Sequence, residues 1–182
     1  MSDINKMLNT NNWFSFKGFY ENVANISEYK TYVELGVWKG HSVSYLAKCL
    51  KKRNDTKVYA VDIFEKWDKN ENVKDEVKHI NEIYNTNLKN MGVRDSITDI
   101  KSISWDAASK FEDNSIDFVF IDADHTYESV VKDINSWLPK IKKGGMISGH
   151  DYFTSDGVKR AVVELLGNVE SIKKENVWYK KV

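Results

Sequence analysis

The chain has 182 residues, of which 41% are hydrophobic and 30% are charged, and this predicts one globular domain rather than a disordered chain. Its 27 basic and 27 acidic residues cancel, so we expect no overall attraction to nucleic acid. Cys49 is the only cysteine, which excludes an internal disulfide and a multi-cysteine metal site. No apolar run approaches a membrane span, and no signal peptide pattern opens the chain. We therefore expect a cytoplasmic protein with neither a membrane nor a nucleic-acid partner, and a homo-oligomer stays open.

The N-terminal 28 residues are polar at first and then aromatic. The aromatic side chains follow a loosely helical spacing: Trp13, Phe14, Phe16, Phe19 and Tyr20. Such a pattern is typical of a helix packed on the edge of a domain, and the same segment would also serve as a lid over a ligand crevice. We therefore divide the chain into an N-terminal helical and aromatic lid segment, 1–28, and a main domain, 29–182.

A strand, a glycine turn and a helix are predicted over residues 32–42. The apolar run carries Glu34 near its end, and Gly36 and Gly40 follow at a four-residue spacing. Glycine allows positive φ and a close approach of backbone to a ligand. Ser42 is predicted to cap the helix that follows. The G-x-x-x-G spacing lacks the second glycine of a dinucleotide fingerprint, so pyrophosphate binding is disfavoured.

Two further strands are predicted at residues 57–62 and 97–103, with a helix over 71–91 between them. The first ends at Asp62, whose two carboxylate oxygens can pair with both hydroxyls of a ribose. The second is followed by a short helix that opens with a hydroxyl, a flat ring and an acid: Ser104, Trp105 and Asp106. These three side chains could frame an adenine, and the equal alternative is a helix cap at Ser104 beside a packed ring.

The most hydrophobic strand is predicted at residues 115–121, which suits a central parallel strand covered on both faces. A helix through Leu138, a strand at residues 146–148, a helix at 155–166 and two strands at 169–172 and 177–179 follow. The order predicts an α/β fold with a mostly parallel sheet, helices on both faces and one antiparallel strand near the edge. Acids and histidines follow the strand ends, which share one edge of such a sheet: Glu34, Asp62, Asp106, Asp122, Asp124, His125, His150 and Asp151.

Two segments carry a resemblance to a known family. Residues 115–127 read S-I-D-F-V-F-I-D-A-D-H-T-Y, and residues 144–152 read G-G-M-I-S-G-H-D-Y. Together with E-x-G-x-x-x-G-x-S at 34–42, they resemble class I S-adenosylmethionine (SAM)-dependent methyltransferases of the methyltransferase domain 24 type. The resemblance spans about residues 19–166. It implies a methyltransferase with a Rossmann-like seven-stranded sheet, a C-terminal antiparallel hairpin, and SAM bound near Glu34, Gly36, Gly40, Ser42, Asp62, Ser104, Trp105 and Asp106.

A more distant similarity is to the cation-dependent catechol and caffeoyl-CoA O-methyltransferases. By position it implies that Asp122, His150 and Asp151 bind a divalent metal and that His125, with Asp122, is catalytic, His125 as the base. Two departures stand out, because His150 replaces an acid and Asp151 replaces an amide. One imidazole with two carboxylates shifts the preference from Mg²⁺ toward Mn²⁺, Fe²⁺ or Zn²⁺ without excluding Mg²⁺. Adjacent strand residues point to opposite sides, so joint ligation by His150 and Asp151 requires the strand to have ended.

These observations are consistent with four alternative functions. The first is methyl transfer to a hydroxyl of a small molecule, such as a sugar, a phenol or another metabolite, with help from Mg²⁺ or Mn²⁺. The second is metal-free N- or O-methylation, with His125 or His150 as the base and Asp122 as a structural cap. The third is another enzyme on this fold, since cephalosporin-hydroxylase-like proteins share similar segments. The fourth is a non-catalytic SAM-binding module.

Overall fold

The computed structural model describes residues 14–65 and 79–182. Helices and strands alternate along most of these residues, and short 3₁₀ turns at 94–96, 108–110, 138–140 and 173–175 join some of them. The elements, in chain order, are α1 (Lys17–Ala24), β1 (Thr31–Leu35), α2 (His41–Leu50), β2 (Lys57–Asp62), α3 (Ile80–Asn90), β3 (Ile97–Lys101), α4 (Ser104–Ala107), β4 (Ile116–Ile121), α5 (Tyr127–Trp137), β5 (Ile141–Gly149), α6 (Asp156–Leu166), β6 (Glu170–Ile172) and β7 (Val177–Lys181).

The strands form one seven-stranded sheet in the order β3-β2-β1-β4-β5-β7-β6. Strands β1 to β5 are parallel to one another, and β7 pairs antiparallel with both β5 and β6. The predicted Rossmann-like class, with its C-terminal antiparallel hairpin, is therefore confirmed. The chain runs outward from β1 to β3 and returns on the other side as β4, so β1 and β4 flank the topological switch point where open α/β sheets bind ligands.

The sheet is covered on both faces because its central strand alternates between two apolar layers. Every residue of β4 is buried. Phe118 and Phe120 pack with side chains of α1, α2 and α3 on one face. Val119 and Ile121 pack with side chains of α5 and α6 on the other. This continuous burial holds the end of β4, and the site residues after it, in a fixed position.

Helix α1 is part of the core. Its aromatic side chains Phe19 and Tyr20 are 3% and 0% exposed, and both lie within ring contact of Phe118 and Phe120. The Phe19 N–H donates to Glu175 Oε2 at 2.9 Å, so an acid from the hairpin satisfies one of the free donors at the start of the helix. The predicted helix in 1–28 is present over Lys17–Ala24, while residues 1–13, with Trp13, lie outside the described part. Movement of the segment as a lid stays a prediction.

Several boundaries differ from the sequence-based prediction. Helix α3 begins at Ile80 among the described residues, and residues 71–78 of the predicted helix lie outside them. Strand β5 begins at Ile141, five positions before the predicted start at 146, because it passes through Gly144 and Gly145 with a register shift against β4. Hydrogen bonds with Val182 also extend its pairing with β7 to those two glycines. No helix in 14–65 or 79–182 is long and apolar enough to span a membrane.

Candidate active site

The glycine turn after β1 lies directly against the end of β4. Gly36 has φ 79°, and a Cβ added there would come within 2.6 Å of Ala123 Cα. The Asp122 N–H donates to Leu35 O at 2.9 Å, which continues the pairing of β1 and β4 beyond their last strand residues. Only glycine fits at position 36, both by conformation and by space. The turn and the Asp122 segment therefore form one wall of the crevice at the switch point.

Gly40 has a packing role in the structure. Its φ is 77°, it is the N-cap residue of α2, and a Cβ would come within 2.7 Å of both Leu88 and Tyr84 of α3. The predicted cap at Ser42 is wrong, because the helix begins at His41 and Ser42 already lies within its first turn. The Ser42 hydroxyl points inward instead and donates to Glu34 Oε1.

Glu34 is fully buried beneath the glycine turn. Its carboxyl group accepts hydrogen bonds from the Ser42 hydroxyl and, at 2.8 Å, from Tyr20 Oη. Burial raises the pKa of Glu34 to about 8, although these two hydrogen bonds act in the opposite direction. Glu34 therefore ties α1 and α2 to β1 from inside the core and supports the turn, whereas its contact with a cofactor stays a prediction.

The carboxylate of Asp62 fixes the same turn from the neighbouring strand. Its Oδ2 accepts from the backbone N–H groups of Val37 and Trp38 at 2.9 and 3.0 Å, and its Oδ1 accepts from Phe64 N–H at 3.0 Å. Trp38 and Phe64 both have positive φ, at 47° and 50°, so the carboxylate stabilises two unusual backbone turns. An ionised carboxylate has about four acceptor positions, which leaves one on Oδ1 for a ligand such as a ribose hydroxyl.

The segment proposed for adenine follows β3 and is held by α5. Ser104 O accepts a hydrogen bond from Trp137 Nε1 at 2.9 Å. The Trp105 ring is half-buried, with Lys132 Nζ 4.6 Å from its centroid, and Asp106 is exposed. The alternative role of Ser104 as a helix cap is wrong, because α4 begins at Ser104 and the residue before it occupies the N-cap position. A partly open ring therefore remains at this edge of the crevice.

Two carboxylates and two imidazoles converge at the ends of β4 and β5. His125 Nε2 lies 3.0 Å from Asp151 Oδ2 and 3.6 Å from Asp122 Oδ1. His150 Nδ1 lies 3.2 Å from Asp151 Oδ2 and 3.6 Å from Asp122 Oδ1. Strand β5 ends at Gly149, and Asp151 has φ 59°, so the chain has left the strand as joint contact by His150 and Asp151 requires. Four of the eight acids and histidines predicted at this edge therefore meet in one group: Asp122, His125, His150 and Asp151.

Mutual attraction shifts the pKa values within this group. Burial opposes the charged form of His150, but the neighbouring carboxylates outweigh burial and raise its pKa to about 9. Asp122 raises the pKa of His125 against a smaller effect of burial, and Asp151, the nearer carboxylate, adds to the rise. Burial would raise the pKa of Asp151, yet His150 and the Thr154 hydroxyl lower it to about 2. The carboxylates therefore favour the charged form of both rings.

Three members of the group could hold a divalent cation. Asp122, His125 and Asp151 each offer one ligand atom, and these atoms lie within 4.8 Å of one another. Two carboxylate oxygens and one imidazole nitrogen suit Mn²⁺, Fe²⁺ or Zn²⁺ and accept Mg²⁺. This set includes His125, which the resemblance to the cation-dependent O-methyltransferases implied to be the base. It does not include His150, which that resemblance implied to be a metal ligand. The role of His150 as the third ligand stays a prediction.

Asp124 has a different role from its neighbour Asp122. Its Oδ1 accepts from Thr126 N–H at 3.0 Å, and its Oδ2 accepts from Ser129 Oγ at 2.9 Å. These bonds satisfy donors at the start of α5, where Thr126 is the N-cap residue. Asp122 faces the two histidines instead. The structural-cap interpretation therefore fits Asp124, while Asp122 belongs to the ionisable group.

Side chains from distant parts of the chain also contact this group, and no sequence pattern indicated these contacts. Ser15 Oγ lies 3.2 Å from His150 Nε2, and the Phe16 ring centroid lies 4.9 Å from that of His150. Asn176, in the turn before β7, donates to Asp151. The aromatic spacing of the N-terminal segment indicated that Phe16 would be buried, but no local pattern indicates which residue lies opposite.

Comparison with known proteins identifies the family. The family model described as a methyltransferase domain matches residues 33–152, which is more than half of the chain and runs from β1 to the residue after Asp151. The chain belongs to this methyltransferase family. The predicted membership in the class I SAM-dependent methyltransferases of the domain 24 type is therefore confirmed, and the protein is an enzyme.

Three similar proteins illustrate the relationship. The uncharacterized protein R132 of Acanthamoeba polyphaga mimivirus is 31% identical over 162 residues, which cover 84% of this methyltransferase and 67% of R132. The structure of the O-methyltransferase NovP has a TM-score of 0.69 at 17% identity and covers 92% of this chain and 79% of NovP. The O-methyltransferase TomG from Streptomyces achromogenes, solved with SAM, has a TM-score of 0.65 at 15% identity, covering 90% and 77%. The last two likenesses show the shared fold.

Proposed function

We propose that this methyltransferase transfers the methyl group of SAM to a hydroxyl of a small molecule, and that a divalent cation held by Asp122, His125 and Asp151 assists. The observation that carries the proposal is the convergence of those three ligand atoms beside the glycine turn at the switch point. NovP and TomG are both named as O-methyltransferases, which supports an oxygen acceptor. A formal net charge of zero favours a small acceptor over a polynucleotide.

The proposed SAM site lies between β1 and β2. The Gly36 turn forms one wall of this site, and the remaining acceptor position on Asp62 Oδ1 suits a ribose hydroxyl. The half-buried Trp105 ring offers a face to the adenine, with Ser104 and Asp106 beside it. A cofactor held there would turn its sulfonium end toward the end of β4. An acceptor oxygen held near Asp122 could then align with the methyl group for in-line displacement.

The chemistry needs a hydroxyl oxygen with an exposed lone pair. A divalent cation at this group would bind that oxygen and lower the pKa of the hydroxyl. Asp122, His125 and Asp151 would hold that cation, and the proton of the hydroxyl would pass to water. As the oxygen–methyl bond forms, the methyl–sulfur bond breaks, and the sulfur keeps the electron pair.

A metal-free mechanism is the second candidate, and one contact favours it. His125 Nε2 lies 3.0 Å from Asp151 Oδ2, which is the geometry of a carboxylate that orients an imidazole base. The His125 side chain is 49% exposed and can meet an acceptor, whereas that of His150 is 11% exposed. In this case His125 takes the proton of the acceptor, and Asp151 stabilises the imidazolium that forms.

A chelation experiment with matched variants separates the two mechanisms. Methyl transfer from labelled SAM is measured against a panel of sugars, phenols and related hydroxyl compounds, with and without chelator, and then with added Mn²⁺. The cation mechanism predicts that chelator lowers turnover about 100-fold or more, that Mn²⁺ restores it, and that SAM affinity is unchanged. Asp122→Asn should lose both rate and metal dependence, while Asp124→Asn, which alters only the cap of α5, should keep both.

Full turnover in excess chelator would reject the cation and leave His125 as the base. His125→Gln would then lower turnover by about 10²- to 10⁴-fold, the usual contribution of a general base. If no compound in the panel accepts a methyl group from the wild-type protein, the proposed acceptor class is wrong.

A further inference from the structure

The two carboxylate oxygens of Asp151 have different partners. Oδ2 faces the site, 3.0 Å from His125 Nε2 and 3.2 Å from His150 Nδ1. Oδ1 faces away and accepts from Thr154 Oγ1 at 2.5 Å and from Asn176 Nδ2 at 3.0 Å. The direction in which Oδ2 points therefore depends on what holds Oδ1, because χ2 of an aspartate is a soft torsion.

Asn176 connects the C-terminal hairpin to the loop that carries Asp151. Its Oδ1 accepts from Phe153 N–H at 2.8 Å, and its Nδ2 donates to Thr154 Oγ1 at 2.7 Å as well as to Asp151. The carboxamide thus binds three of the four residues 151–154, and the fourth, Tyr152, donates its backbone N–H to Asn176 O at 3.4 Å. Asparagine suits this turn, because the φ of 56° is one that it tolerates better than most residues.

The base of this turn is itself fixed. Glu175, the preceding residue, is buried and accepts the Phe19 N–H of α1 at 2.9 Å. A Cβ at Gly18 would lie 2.6 Å from Glu175 Oε1, so α1 and the turn are closely packed. Asn176 is therefore anchored on one side by the core and reaches the site on the other.

We infer that Asn176 is a positioning residue for methyl transfer, which acts by holding the Asp151 carboxylate against His125 and His150. The inference rests on the proposed role of Asp151 in the active site. Asn176 lies outside residues 33–152, so the family match does not assign it any role. Without its amide, Oδ1 loses its only N–H donor in the described residues, the carboxylate turns, and Oδ2 leaves the two imidazoles.

The test compares variants that change the side chain but keep the backbone. Asn176→Gly removes the carboxamide at a φ that glycine adopts freely, and Asn176→Asp keeps an acceptor for Phe153 N–H but places a negative charge beside Asp151. Asn114→Gly is the matched control, since Asn114 has φ 54° in the turn before β4, at the opposite end of that strand from Asp122. The readouts are the ring ¹⁵N signals of labelled histidines at one fixed pH, SAM affinity, and Mn²⁺ affinity.

We expect the His125 and His150 ring signals to shift in both Asn176 variants and to stay at wild-type positions in Asn114→Gly. Mn²⁺ affinity should fall at least tenfold in Asn176→Gly, as for other residues that orient a metal ligand, while SAM affinity stays within twofold. Wild-type ring signals in a folded Asn176→Gly or Asn176→Asp would overturn the inference. If the wild-type protein binds no Mn²⁺, the proposed cation fails, and the ring signals alone decide the role of Asn176.

Discussion

At the scale of single residues, several acids of the crevice act on protein backbone before any ligand is present. Asp62 accepts three backbone N–H groups, and Asp124 caps a helix. Asp122 and Asp151 differ, because each faces two imidazoles. Asp62 and Asp124 therefore hold local structure, whereas Asp122 and Asp151 are the acids placed for chemistry with the histidines.

Asp62 supports the glycine turn and also offers an acceptor position for the ribose of SAM, so its substitution should affect cofactor binding. Asp62→Ala should weaken SAM binding by about 1.5–3 kcal/mol, the range for a hydrogen bond to a charged group, because the variant loses a ribose contact and the support of the glycine turn. Isothermal calorimetry measures the change. Asp113→Ala, which removes an exposed acid paired with Lys140, is the control and should bind SAM as the wild type does. Unchanged affinity in Asp62→Ala would place the cofactor elsewhere.

At the scale of elements, β4 is the strand on which the site depends. It is buried along its whole length and pairs with both β1 and β5, so its end fixes the distance between the glycine turn and Asp151. Helix α1 adds a second support, since Phe16 contacts the His150 ring while Tyr20 donates to Glu34. The crevice is therefore built on rigid elements, with its ionisable groups on the short loops that follow them.

The burial of β4 predicts a large loss of stability on truncation. Phe118 is 0% exposed and contacts the rings of Phe19, Tyr20 and Tyr32, so Phe118→Ala should lower the free energy of unfolding by about 3–5 kcal/mol. Urea unfolding measures this loss. Phe153→Ala is a matched control because that ring is 41% exposed, and it should change stability by about 0.5 kcal/mol or less. Equal effects of the two substitutions would contradict the assignment of β4 as the core strand.

The strands and their mostly parallel arrangement could be predicted because the central strands have strong apolar patterns and helices alternate with strands along the chain. Prediction from the sequence failed where distant contacts decide the local structure. The N-cap is Gly40 and not Ser42, whose hydroxyl instead donates to the buried Glu34 of another element. The role of Asn176 depends on a contact 25 residues away from Asp151, which no local periodicity encodes.

At the scale of the whole molecule, four segments far apart in the chain meet at one edge of the sheet. The glycine turn, the end of β4, the loop after β5 and the turn before β7 are joined by the parallel topology and by the antiparallel return of β7. The family match explains the first three, because they lie in residues 33–152. The hairpin extends the site beyond that match and makes the C-terminal strands part of the proposed catalytic unit.

The most direct test of the proposed site is a crystal structure of this methyltransferase soaked with SAM and Mn²⁺, with anomalous data at the manganese edge. We predict SAM in the crevice between β1 and β2, its ribose beside Asp62 and its adenine on Trp105. The anomalous peak should lie between Asp122, His125 and Asp151, next to the methyl group. SAM bound away from the glycine turn, or an anomalous map with no peak among these three side chains, would contradict the account.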